Sequence, residues 1–287
     1  LEFSRIGGAY KQDVNEKFSF AIDFGQPHGI DIAYPSLPVA ALASISGIEV
    51  GLQSDALTFL GRYKIDDNWS VYGGPRVQRF RGEVRNDALG AFDLDSSNYE
   101  LGFLLGVAYE RPETATRIAL TYTSEFEHSI DTTSAASGIT TADGTVVRTP
   151  QSLQLAFETG IAERTLLTAT VRYAEWSEAN LDFLGSTLTD FEDVTRYSIG
   201  VGRQVTDKLG LNIAYAYQTG ADSPVGSLSP FEDRQSLALG ARYQASEQVR
   251  ISAGIAYTWL DDATTTAAGT FTDNDALSFA LSVGYSF

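Results

Sequence analysis

Residues Ala276 to Phe287 (ALSFALSVGYSF) alternate without interruption. Leu277, Phe279, Leu281, Val283, Tyr285 and Phe287 fall on one face, and Ala276, Ser278, Ala280, Ser282, Gly284 and Ser286 on the other. A period of two belongs to an extended strand, whose side chains point to opposite faces in turn. A barrel in water buries its large apolar residues and wets its polar ones. A barrel in lipid does the reverse, with an apolar exterior around an aqueous lumen. One strand leaves both readings open.

Neighbouring segments repeat the pattern. Val249, Ile251, Ala253, Ile255, Tyr257 and Trp259 oppose Arg250, Ser252, Gly254, Ala256 and Thr258. Leu237, Leu239, Ala241 and Tyr243 oppose Ser236, Ala238, Gly240 and Arg242. Leu209, Leu211, Ile213, Tyr215 and Tyr217 face away from Gly210, Asn212, Ala214, Ala216 and Gln218, and Leu153, Leu155 and Phe157 from Ser152, Gln154, Ala156 and Glu158. Tyr63, Tyr109, Tyr122, Tyr173, Tyr217, Tyr243 and Tyr257 stand near strand ends. An amphipathic ring there suits headgroup level. The reading is an all-β transmembrane antiparallel β-barrel in a bacterial outer membrane, as a single domain over residues 1–287.

Composition removes competing classes. Mean hydropathy is −0.10, and no apolar run approaches the roughly 18 residues of a membrane helix. A net charge of −17 argues against nucleic acid as a partner, because phosphate neutralisation needs surplus Lys and Arg. The chain has no cysteine and no methionine. The first excludes disulfides and thiolate metal sites; the second places the start of this sequence downstream of a translation start. Acidic residues gather in the longer links, at Asp93 and Asp95, at Glu178, Asp182, Asp190, Glu192 and Asp193, and at Asp261, Asp262, Asp273 and Asp275. They read either as solvated, self-repelling loops or as divalent-cation bridges to lipopolysaccharide phosphates.

Link lengths set the orientation. Short polar turns at Asp13 to Glu16, Asp66 to Asn68, Pro112 to Thr114, Ala162 to Arg164, Thr206 to Lys208 and Ser246 to Gln248 suit the periplasmic side. The longer links, Gly29 to Ser46, Arg81 to Ser96, His128 to Thr149, Ser177 to Asp190, Gly220 to Glu232 and Asp261 to Asp275, then face outward as loops. About thirteen strands result, and because single-chain bacterial barrels carry even numbers, about fourteen are expected in the complete barrel.

Gly8-Ala9-Tyr10-Lys11, Gln26-Pro27-His28-Gly29, Arg62 through Gly74, Gly106 through Glu113, Arg117 through Tyr122, Pro150 through Leu153 and Val171 through Glu178 (VRYAEWSE) occur in this order. In order and spacing the chain resembles the FadL/TodX-type outer-membrane transport proteins along nearly its whole length. The resemblance implies a fourteen-stranded barrel closed by an N-terminal hatch, with the matching segments starting at the second strand. It also implies passive uptake of fatty acids or aromatic hydrocarbons and sideways release through a kinked third strand.

Gly25, Pro27, His28 and Gly29 supply a place for such a kink, since Pro27 cannot donate to a ladder and the glycines relax the backbone. The same residues also suit an ordinary strand end. Beyond them Ile30 to Ile48 is apolar enough to cover the mouth as a lid or to serve as a capture surface. Inward apolar residues, Leu60, Tyr72, Leu104 and Trp176, mark a hydrophobic lumenal site. Among inward arginines, Arg76 and Arg172 are candidates for a ligand's carboxylate; pairing with each other or with a hatch is the simpler use of these charges. Only His28 and His128 could act as imidazole bases, and no Ser or Asp spacing completes a triad. Neither an enzyme, a cofactor nor a metal site is expected; the alternative function is a general porin or structural surface barrel.

Overall fold

The computed structural model describes residues 4–34, 36, 46–86, 90–95, 98–135, 137–187, 189–226, 228–229, 232–265 and 269–287. Within them the chain forms β1 (Gly8–Asp13), β2 (Phe18–Gly25), β3 (Gly29–Ala33), β4 (Glu49–Lys64), β5 (Trp69–Asn86), β6 (Gly90–Asp95) and β7 (Glu100–Arg111). There follow β8 (Thr116–Thr123), β9 (Phe126–Ser134), β10 (Thr140–Thr149), β11 (Ser152–Ala162), β12 (Thr165–Ala174), β13 (Leu181–Phe183) and β14 (Ser186–Thr187). The last are β15 (Val194–Gln204), β16 (Leu209–Gln218), β17 (Arg234–Gln244), β18 (Val249–Leu260), β19 (Ala263–Thr265), β20 (Gly269–Phe271) and β21 (Asn274–Tyr285).

The wall runs β1-β2-β4-β5-β7-β8-β11-β12-β15-β16-β17-β18-β21, every neighbour antiparallel. These are the thirteen strands the alternation predicts. β1 and β21 are its two edges and run in the same direction; Tyr10 stacks on Phe287 across them at 5.8 Å. Large apolar residues lie on the exposed outer face: Phe279 is 75 % exposed, and Leu211, Leu239 and Ile255 also face out. Inside, Gly240 meets Gly254 and Ala238 meets Ala256 across β17 and β18.

That asymmetry predicts unequal effects at adjacent residues. Leu239→Lys puts a charge near mid-membrane on the lipid side and is expected to cost about 2–4 kcal/mol. Ala238→Lys, one residue away, directs its ammonium into the lumen and is expected to cost far less. Urea unfolding in phospholipid vesicles measures both.

Above the membrane the rule inverts. β4 and β5 run for 16 and 18 residues, beyond the roughly 9–11 that a bilayer needs. Val50, Leu52, Phe80 and Val84 on their inner faces join Leu94, Ile130, Val147, Leu181 and Phe183 in a buried apolar cluster, while Arg79, Arg81, Glu83 and Arg85 occupy the outer face. Water surrounds this part, so polar groups belong outside. Five links read from sequence as loops are thereby corrected, among them Ser177 to Asp190, which holds β13 and β14, and Asp261 to Asp275, which holds β19 and β20. Arg81 to Ser96 holds the end of β5 and β6, and His128 to Thr149 holds most of β9 and β10, with β6, β9, β10 and β13 curling over the barrel as a cap. The Gly29 to Ser46 link likewise begins with β3, whose Ile30 packs on the cap core. The candidate lid residues Leu37, Val39, Ala40, Ala41, Leu42 and Ile45 lie outside the described residues.

Candidate lumenal site and wall opening

Beneath the cap lies a cavity of about 1200 Å³. Leu104, Phe126, Trp176, Phe191, Val225, Leu228 and Phe271 give it apolar walls, and Arg76, Arg172, Arg196 and Arg234 give it a cationic side. The cations share a cause in the register. Gln154, Arg172, Arg196, Gln218 and Arg234 stand directly opposite one another on β11, β12, β15, β16 and β17. One inward row therefore carries three guanidiniums. Arg234 donates to Gln218 Oε1, and Arg172 to Ser152 Oγ at 3.3 Å. Among the described residues no carboxylate lies within 4.0 Å of Arg76, Arg172 or Arg196. By contrast, Arg62 and Arg117 near the periplasmic end share Glu110, at 2.9 and 3.0 Å.

Of the residues singled out from sequence, Leu104, Trp176, Arg76, Arg172, Pro27, His28 and Gly29 line this one cavity. Leu60 and Tyr72 do not. Both face inward, Leu60 in the register row of Gly74 and Leu104, and Tyr72 one step nearer the periplasm, sharing a hydrogen bond with Thr121 Oγ1 at 2.5 Å and pressing its ring on Gly106. Arg196 and Arg234 escaped the sequence reading, although each sits on the parity of small inward neighbours, Ser198 and Gly200 for one and Ser236 and Ala238 for the other.

The wall changes register at Gly25 to Gly29. Gly25 pairs with Ala56 and Gly29 with Gln53, so Gln26, Pro27 and His28 oppose only Ser54 and Asp55. The extra residue makes a bulge and reverses which parity faces in. Phe18, Phe20, Ile22 and Phe24 share the face of Tyr63 and Phe59, whereas Ile30 and Ile32 pair with the inward Leu52 and Val50. Ser54 stitches the defect: its hydroxyl takes the His28 N–H at 2.9 Å, and its own N–H bonds His28 O at 2.9 Å. Gln26 reaches Asp55 at 3.0 Å and accepts the Ile6 N–H at 2.9 Å. On the other flank β1 pairs with β2 only up to Gly8 and Phe24. The His28 ring meets Trp176 edge-on at 5.9 Å. An external groove of about 1030 Å³ reaches the same place, and Arg5, His28, Gly29, Ile30 and Asp31 line both spaces.

At the neck between cavity and cap, four buried atoms have no hydrogen-bond partner among the described residues: Arg76 Nε, Gln78 Nε2, His128 Nδ1 and Thr149 Oγ1. His128 is 1 % exposed, lies between Phe80 and Phe126, and in the Nε2–H tautomer donates to Gln78 Oε1 at 3.2 Å. Burial pushes its pKa from 6.5 down to about 4. The folded cap holds it neutral where the unfolded chain would protonate it. Cap stability is therefore complete above pH 6.5 and falls as the pH drops toward 4, by about 3 kcal/mol in all. Amide exchange of β9 and β10, corrected for intrinsic rate, should lose protection from pH 7 to pH 5, and His128→Gln should remove the dependence.

Around the outer rim, Tyr173, Tyr217 and Tyr257 donate to Asp193, Asp233 and Asp275. The Tyr173 and Ser177 hydroxyls hold Asp193 below the usual carboxylate range. No group of three or more His, Cys, Asp and Glu residues is placed to hold a metal ion among the described residues.

A lipid-facing wall around a cavity of mixed polarity defines a membrane β-barrel transport protein. The chain belongs to the outer membrane protein transport protein family (OMPP1/FadL/TodX), which it matches over residues 7–287, and its place is the outer membrane. A Pseudomonas aeruginosa FadL homologue superposes with a TM-score of 0.77 at 17 % identity, over 97 % of this chain and 77 % of that one. The Pseudomonas putida toluene transporter TodX gives 0.67 at 15 %, over 98 % and 82 %. The Ralstonia pickettii toluene transporter TbuX gives 0.64 at 14 %, over 97 % and 80 %. No curated protein matches the sequence.

Proposed function

We propose that this protein admits small hydrophobic molecules, fatty acids or hydrocarbons, down their own gradient and releases them sideways through the wall at the bulge between β2 and β3. The observation that carries the reading is the sharing of Arg5, His28, Gly29, Ile30 and Asp31 by the lumenal cavity and the external groove. An apolar body would lie against Leu104 and Trp176, and a polar end would meet Arg76 and Arg172, whose bidentate geometry suits a carboxylate. Leu60 and Tyr72 would serve a ligand passing deeper. In this reading a strand antiparallel to both β1 and β21 completes the ring, and a hatch closes the lumen.

Proteoliposomes test it. The protein should speed equilibration of a hydrophobic probe while showing neither ion conductance nor swelling with small sugars. Steady conductance with sugar swelling and no gain for the probe would mean a general porin and end this reading.

A further inference from the structure

We propose that the external groove beside the bulge docks a phosphate on the headgroup of an outer-leaflet lipid, held by Arg79 and Arg81. On the outer face of β5 the order is Trp69, Val71, Gly73, Pro75 and Val77, then Arg79 and Arg81. Successive outward residues are about 7 Å apart along a strand, so the arginines begin one step above the apolar band, where phosphates lie.

The register separates charges by height. Asp55 faces Arg79, Gln53 and Asp95 flank Arg81 in the register, and the groove's acids Asp31, Glu83 and Asp93 share the next row outward, away from the bilayer. At the lower level one carboxylate serves two guanidiniums: Asp55 lies 3.5 Å from Arg79 and 3.4 Å from Arg81. Both arginines remain partly exposed and line the groove, and the Arg79 guanidinium lies over the Tyr99 ring, 5.6 Å from its centroid. On the opposite sector the rim presents Asp193, Asp233 and Asp275, which repel a phosphate. In a chain of net charge −17 this groove is thus a place where an anionic headgroup meets cations directly.

The test uses the whole protein in detergent with two probes, diphosphoryl lipid A and the same lipid stripped of phosphate. The phosphorylated form should bind at least about tenfold more tightly, the effect of charge-assisted hydrogen bonds. Arg79→Gln/Arg81→Gln should erase that preference with heat-modifiable gel mobility unchanged, and Arg111→Gln at the periplasmic end should keep it. If the double variant does not assemble, Arg81→Gln alone must reduce the preference. Equal affinity for both lipids, a preference surviving these substitutions, or displacement by inorganic phosphate alone would overturn the proposal. The outcome is independent of hydrophobic uptake, which the proteoliposomes measure separately.

Discussion

Deleting Pro27 is expected to reduce uptake to the level of membranes lacking the protein, with the barrel still assembled. Three residues face two at the bulge, so removing Pro27 sets Gln26 opposite Asp55 and His28 opposite Ser54. Both remaining residues carry an N–H, and the ladder can run unbroken from β2 into β3. The pairing of Ile30 and Ile32 with β4 is untouched, so the cap keeps its inward apolar residues. Each new backbone bond contributes about 1 kcal/mol, and the repaired variant should be no less stable. Ligand should still reach Trp176 and alter its fluorescence, because Leu104, Phe126, Arg76 and Arg172 of the cavity wall keep their places. Uptake at the original rate would show that cargo leaves elsewhere.

Gly74→Ala should have a large structural effect. A Cβ at Gly74 would lie 1.9 Å from the Phe59 carbonyl oxygen, and that obstacle is backbone that no rotamer change can move. β4 and β5 approach closely here beside Pro75, where the ladder skips from Thr58 and Arg76 to Gly61 and Gly73. Separating them is expected to cost about 3 kcal/mol or more, seen as a lower urea midpoint and less heat-modifiable barrel. Gly254→Ala is the control: its Cβ would meet the Leu239 oxygen at 3.5 Å, ordinary contact, and the variant should fold normally.

Within the membrane the sequence was transparent, because a strand between lipid and lumen must alternate and the short turns bound it. The alternation over 249–259 matches β18 (Val249–Leu260) to within one residue, and that over 276–287 matches β21 (Asn274–Tyr285) to within two. The cap was opaque for a physical reason. Val50, Leu52, Phe80 and Val84 also alternate, but with the apolar residues inward and the charges outward, so a search for oily exteriors passes over them. The site was legible where an inward residue broke the small-polar pattern, as Leu104 and Trp176 do. Arg196 and Arg234 needed the register, which aligns them with Arg172 only after the strands are paired. The bulge was visible as Pro and Gly, yet its single extra residue required knowing where β4 lies.

The two solvents of the β4–β5 hairpin also order its biogenesis. Its distal half carries Arg79, Arg81, Glu83 and Arg85 on the face that its proximal half gives to lipid, and moving such charges through hydrocarbon is costly. Passage of the outer ends of β4 and β5, opposite the Asp66–Asn68 turn, through the inside of the nascent ring would avoid that cost. Ile130 and Leu181 pack with Leu52 and Phe80 in a core that only an aqueous exterior drives together. The cap is thus expected to mature last, and a chain stalled in mid-insertion to carry its oily patch unclosed.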